Sequence, residues 1–146
     1  TATLVCARVT SSPDGHSAAI SSAGPLLVLD LESGVWRALG RHDEVHNLGF
    51  SRDGRLLATA NIERVARVWR LADGAAAIVH RTDSAVLGVD FSPDGRLLAA
   101  STVDGSVWVG PVDEARFVPQ EPAALHARLA AATTARLVDG DIVSAD

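Results

Sequence analysis

Five histidines, one cysteine and a scatter of Asp-Gly pairs are the residues of this chain with the types for site chemistry. The histidines are His16, His42, His46, His80 and His126. His42 and His46 are four apart, a spacing that serves a metal only on a helix, and the segment reads as a loop entering a strand. With no cysteine pair beside them, no metal site is expected. The turns at Asp14, Asp53 and Asp94 each offer one carboxylate, whereas calcium takes six to eight oxygens. Asp139-Gly140-Asp141 lacks the remaining ligands of a calcium loop. These pairs read as turns.

Catalysis has no frame either. There is no Gly-x-Ser-x-Gly elbow and no glycine-rich phosphate loop before a helix. Cys6 lies in an apolar run, the setting of a buried inert thiol. Arg64, Arg67 and Arg70 alternate faces on a strand, so they form no single basic stripe. Arg52, Arg55 and Arg96 sit beside turns. All 13 basic residues are Arg, and the net charge of −5 argues against a general nucleic-acid groove. No enzyme active site, cofactor or metal is expected, and no membrane segment or signal peptide is visible. The expected location is cytoplasmic.

The elements that must position any site are short strands. Apolar residues make up 47% of the chain and aromatics 4%, so the core must be Val, Leu and Ala in close layers. Phe91-Ser92-Pro93-Asp94-Gly95-Arg96-Leu97-Leu98-Ala99-Ala100 reads as strand, tight turn, strand. Asp104-Gly105 supplies the next reversal. Phe50-Ser51-Arg52-Asp53-Gly54-Arg55-Leu56-Leu57-Ala58-Thr59-Ala60 repeats this nearly residue for residue, and Ser12-Pro13-Asp14-Gly15 more weakly. A period of about forty residues with four short strands per unit points to propeller blades. Strands are expected at 3–10, 16–22, 26–31 and 35–39, then 45–50, 55–60, 65–70 and 75–80. The third set is 86–91, 96–101, 106–110 and 115–118. Strands 86–91 and 96–101 are apolar on both sides of the pleat, as burial between neighbours requires.

These units resemble the WD-repeat family of β-propellers. The motifs are Phe-Ser-Arg-Asp-Gly, Phe-Ser-Pro-Asp-Gly, Leu-Leu-Ala-Thr-Ala, and Val-Ala-Arg-Val-Trp ending at Trp69. The resemblance implies an all-β fold of three four-stranded antiparallel blades over residues 1–118 (about 3–39, 45–80 and 86–118). Residues 119–146 read as an extension, with a helix at 123–132 and a hairpin around Asp139-Gly140. That ending resembles the C-terminal part of large bacterial WD-repeat proteins. The family's buried polar network maps onto Arg41 or His42, Asn61, Glu63 and Trp69, and onto Thr82, Thr102, Asp104 and Gly110, with neither set complete. Trp36, Trp69 and Trp108 are expected in the core or between blades.

By the same resemblance, ligands dock at loops entering each inner strand. Those loops place Asp43, Glu44 and His46 in the second unit, and Asp83 and Ser84 in the third. The implied function is a non-catalytic protein-interaction, sensor or scaffold module within a larger propeller protein. Its partner is another protein or further blades on the same polypeptide, a cleaved piece or identical copies. One alternative is a three-blade unit that closes a ring by self-assembly. The other is a regulatory propeller bound to a protease, kinase or signalling ATPase domain elsewhere. A blade's flat face is roughly 300 Å², so baring one forfeits on the order of 8 kcal/mol. An open arc of three is expected to bare two.

Overall fold

The structure is a computed structural model, and it describes residues 6–22, 25–41, 45–118, 135–138 and 141–144. The first sheet is β1 (Cys6–Ser11), β2 (Ser17–Ser22), β3 (Pro25–Asp30) and β4 (Trp36–Arg41), antiparallel in chain order. The second repeats it with β5 (Val45–Phe50), β6 (Leu56–Asn61), β7 (Val65–Arg70) and β8 (Ala76–Arg81). The third holds β9 (Val86–Phe91), β10 (Leu97–Thr102) and β11 (Val107–Pro111). The first strands of successive sheets lie side by side, so the three blades form an arc. A separate antiparallel pair, β12 (Ala135–Val138) and β13 (Asp141–Ser144), flanks Asp139-Gly140. Those two turn residues and the helix expected at 123–132 lie outside the described residues.

One turn chemistry recurs at the head of every blade. The Ser51 hydroxyl donates to Asp53 Oδ1 at 2.6 Å, the Arg55 N–H donates to the same oxygen at 3.0 Å, and the Leu56 N–H donates to Ser51 Oγ at 3.0 Å. Ser12 with Asp14, and Ser92 with Asp94, repeat the arrangement. Gly54 closes this turn at φ +73, a region where a Cβ is strained. The Ser51 hydroxyl is the largest influence holding the Asp53 carboxyl down at about 2. A carboxyl lowered in the fold contributes stability above its unfolded pKa, and that contribution fades as the pH falls through the folded value. The fold should therefore weaken as pH drops from about 4 to 2. Ser51→Ala should cost roughly 1 kcal/mol at neutral pH and flatten that acid limb. Urea titrations at pH 7, 4 and 2.5 measure both effects.

Two apolar layers glue the arc. Leu26, Val28 and Leu39 of the first sheet meet Leu48, Leu57, Trp69 and Ala76 of the second. Ala58, Ala60, Val68 and Val79 of the second sheet share a core with Val86, Val89, Leu98, Ala100 and Phe117. Small residues dominate because the sheets approach closely. At Gly40, an added Cβ would lie 2.5 Å from Trp69 Cζ3, so that glycine makes room for the indole.

Two expectations change. The fourth strand of the third blade, placed at 115–118, is replaced by one turn of 3-10 helix, Glu114–Arg116, capped by the Asp113 side chain. Val118 pairs instead with Ala76 on β8, exchanging two backbone hydrogen bonds of 3.0 and 2.8 Å. Side-chain anchoring explains the diversion: Phe117 is buried in the core between the second and third blades, with the Arg70 guanidinium 5.4 Å from its ring centroid. Glu114 accepts from Arg55 at 3.4 Å and lies 3.9 Å from Arg70. Among the described residues, the arc also bares one end face and not the other. On the side of the first sheet turned away from the second, Ile20, Leu27, Leu29 and Ala38 are each at most 6% exposed. The outer side of the third sheet leaves Leu97 at 43%, Val107 at 69% and Val109 at 59%.

Candidate interaction site

Each blade's first strand carries one extra residue near its start, where the register to the second strand slips. The extra residues are Ala7, His46 and Leu87. A bulge bends the strand and re-aims a side chain. His46 thus stands at the entry to β5, half-buried, and its carbonyl accepts from Arg8 Nε at 2.7 Å. Asp43 and Glu44 lie outside the described residues. Asp83 and Ser84 share the loop from β8 to β9, so the structure brings these two together and places His46 one blade earlier.

The loop at 82–85 is clamped on both sides. The Thr82 N–H donates to Arg64 O at 2.9 Å, and its hydroxyl donates to Arg64 O at 3.1 Å and Ser84 O at 2.6 Å. Arg64 makes that carbonyl available from a left-handed backbone, φ 65, at the position where the third unit has Gly105. On the other side, the Val103 N–H donates to Ala85 O at 3.0 Å. Asp83 is left exposed at the tip of a rigid loop.

Beside it the turn from β10 to β11 holds a second carboxylate. The Thr102 hydroxyl donates to Asp104 Oδ1 at 2.5 Å and the Ser106 N–H donates to the same oxygen at 2.9 Å. The Thr102 hydroxyl, the largest influence, pulls the Asp104 carboxyl down to about 2, so it is ionised throughout the neutral range. Below the two carboxylates, His80 and Trp108 stack with centroids 4.3 Å apart and planes 4° from parallel. Asp83, Asp104, His80, Trp108 and Arg81 line a groove of about 370 Å³ between the second and third blades. The Thr82 and Thr102 hydroxyls are already spent on backbone and carboxylate acceptors, which makes them braces. The groove sets the Asp83 and Asp104 carboxylates and the Arg81 guanidinium around an aromatic floor, a surface of mixed charge suited to polar recognition.

Sequence reasoning named Asp83, Ser84, Thr102 and Asp104 but missed the His80–Trp108 stack. A signal existed: Trp108 and Gly110 are two apart on one strand and so share a face, with the ring lying across the glycine. An added Gly110 Cβ would fall 2.0 Å from Trp108 Cζ2. Of the buried polar set mapped onto the second unit, Asn61 donates from Nδ2 to Glu63 Oε2 at 3.0 Å. Trp69 Nε1 donates at 3.0 Å to Thr59 Oγ1, a residue that mapping did not include, both residues being fully buried. Register decides this: Trp69 lies opposite Leu57, which leaves Thr59 as the diagonal neighbour on the same face.

Comparison with known proteins agrees with this architecture. The family pattern described as "WD domain, G-beta repeat" matches residues 35–70 and 77–109. Each match runs from the outer strand of one sheet to the third strand of the next, so each unit straddles two blades. The human WD repeat-containing protein 36 is 38% identical over 79 residues, covering 53% of this chain and 9% of that protein. Periodic tryptophan protein 2 of Arabidopsis thaliana is 38% identical over 69 residues, 47% of this chain and 8% of that protein. The Neurospora crassa homologue of that protein is 33% identical over 87 residues, 54% of this chain and 9% of its own. The chain therefore spans less than a tenth of these relatives. Among solved structures, the Cps50 (Swd1) β-propeller domain of Myceliophteria thermophila superposes with a TM-score of 0.68 at 23% identity. It covers 82% of this chain and 39% of that chain.

Proposed function

Because the chain belongs to the WD-repeat family of β-propeller proteins, we propose that it is a non-catalytic protein-interaction module, the C-terminal portion of a larger propeller protein. The module is read as cytoplasmic and as binding through the rim loops that enter its inner strands. The observation that carries this reading is Asp83, held exposed on a loop clamped by Arg64 and Val103. Loops fixed on a rigid scaffold are where binding residues concentrate. Electrostatic complementarity at such a rim sets partner choice and on-rate. That the chain covers 39% of the solved β-propeller domain supports its place within a larger ring. The relatives are human, fungal and plant proteins, so the bacterial setting rests on the resemblance of the C-terminal segment alone.

The test is a charge reversal at the exposed residue of the loop. Asp83→Arg should leave the thermal unfolding midpoint unchanged, since Asp83 is exposed. The same variant should abolish recovery of protein partners that the unaltered chain retains under identical conditions. Recovery that is equal with and without the reversal would remove the rim loop as the site.

A further inference from the structure

The second blade carries an arginine where the other two carry apolar side chains. Ile20, Thr59 and Ala100 each lie five residues after the glycine of their Ser-x-Asp-Gly turn, at Gly15, Gly54 and Gly95. On the neighbouring third strands they lie opposite Leu27, Arg67 and Trp108. Leu27 is buried, and Trp108 packs against the core between the second and third blades. Arg67 holds the same place half-buried, its guanidinium 5.5 Å from the Trp69 ring centroid. Burial is the largest influence on that guanidinium and lowers its pKa, against the pull of Glu63. A charge in a place suited to an apolar side chain costs stability unless it is compensated. Departures of this kind from a local rule concentrate at functional sites.

A second guanidinium shares the same space. Val118 pairs antiparallel with Ala76, which carries residues 116–118 back along β8 toward Ile78, the partner of Arg67. Arg67, Ala76, Ala77, Ile78, Arg116 and Val118 line one cavity of about 230 Å³. Among the described residues, none that lines it is acidic. The carboxylates next to Arg116 in the chain are occupied elsewhere: Glu114 with Arg55 and Arg70, and Asp113 with the Ala115 N–H. Arg55 and Arg70 also hold Asp53 and Asp73. Arg55 and Arg70 are thus neutralised at the turns, whereas Arg67 and Arg116 face one cavity with an apolar wall.

We propose that Arg67 and Arg116 form an anion site at the outer edge of the second blade, and that it takes a phosphoryl group. Two guanidiniums match a doubly charged oxyanion, and the planar N–H fork of each suits phosphate oxygens. Arg67 need not give up its contact with Trp69 or any other: a guanidinium carries five N–H donors. The cavity is smaller than the range of about 300–1,000 Å³ that holds drug-sized ligands. The group is therefore small, either inorganic phosphate or the phosphate end of a monoester whose stem lies on Ala76, Ile78 and Val118. The site adjoins the start of β8, whereas Asp83 follows its end, so it stands apart from rim-loop recognition.

The probes are inorganic phosphate and phenyl phosphate, titrated separately into the whole chain. The pH is about 8, above the phosphate second pKa of about 6. The arginine Nε–Hε resonances are followed by NMR, those of Arg67 and Arg116 being assigned from Arg67→Lys and Arg116→Gln. Both should shift saturably at millimolar probe or below, while Arg52 and Arg96 stay still. Arg116→Gln, at an exposed position, should keep the unfolding midpoint and weaken binding roughly tenfold or more, the loss of one charge-assisted hydrogen bond. Arg67→Leu restores the side chain of the first blade and should abolish binding. Tighter binding of phenyl phosphate assigns the site to a monoester, and equal affinity assigns it to free phosphate. Absence of a saturable shift at both arginines would overturn the proposal, as would equal shifts at Arg52 and Arg96. Unaltered affinity in Arg116→Gln would overturn it too. Asp83→Arg should leave both shifts in place, so this site and the rim loop stand or fall separately.

Discussion

Trp69→Ala should destabilise this protein by roughly 3–5 kcal/mol, the range for emptying a buried tryptophan site. Against a typical domain stability of about 5–15 kcal/mol, a loss of that size leaves a large unfolded population at modest denaturant. The indole is fully buried between the first and second blades and touches both sheets. It fills the space that Gly40 leaves, and it satisfies the Thr59 hydroxyl. Alanine removes the contacts and leaves that hydroxyl buried without its donor, a further cost of about 1–3 kcal/mol where nothing rearranges. Trp69→Phe should fall between the two, keeping a ring and losing the N–H. The check is the urea midpoint, read by circular dichroism because Trp69 is one of only three tryptophans. A loss below about 1 kcal/mol for the alanine variant would mean that the two blades do not depend on this side chain.

Gly40→Ala should produce the second-largest loss, about 1–3 kcal/mol, from overpacking a close-fitted layer. The added Cβ would lie 2.5 Å from Trp69 Cζ3 and 2.6 Å from Cη2, so the ring or the strand must move. These atoms belong to the far edge of the indole and have no counterpart in phenylalanine. In a Trp69→Phe background the alanine should therefore cost much less, and the double-mutant cycle should show coupling of about 0.5–3 kcal/mol. Strict additivity would show that Gly40 is constrained by something other than the tryptophan.

The chain's local chemistry was legible residue by residue. Ser-x-Asp-Gly was readable because the serine, the aspartate and the glycine act within six residues of each other, and all three copies form the same turn. The strands followed because those turns bracket runs too short for anything but a strand. Their ends shift by only a residue or a few, the expected start of the first strand at residue 3 lying outside the described residues. The repeat, and the fold it implies, came from the same signals at a period near forty residues. Asp83 and Ser84 could be named because a loop's place between two strands is itself a local fact.

What distant segments settle was not legible. Residues 115–118 have the composition of a fourth strand. Their destination depends on Phe117 finding a core between two other blades, and on Glu114 meeting Arg55 far back in the chain. Thr59 was not named as the acceptor of the Trp69 N–H because register across β6 and β7 sets it, Thr59 and Asn61 being two polar residues on one face. The His80–Trp108 stack joins two sheets, and strand alternation alone cannot say which aromatic surfaces meet. Local sequence determined turns, strands and repeat because their energetics close over a few bonds. Tertiary structure decided edges, partners and the groove, because each depends on which sheet reaches a shared surface first and holds it.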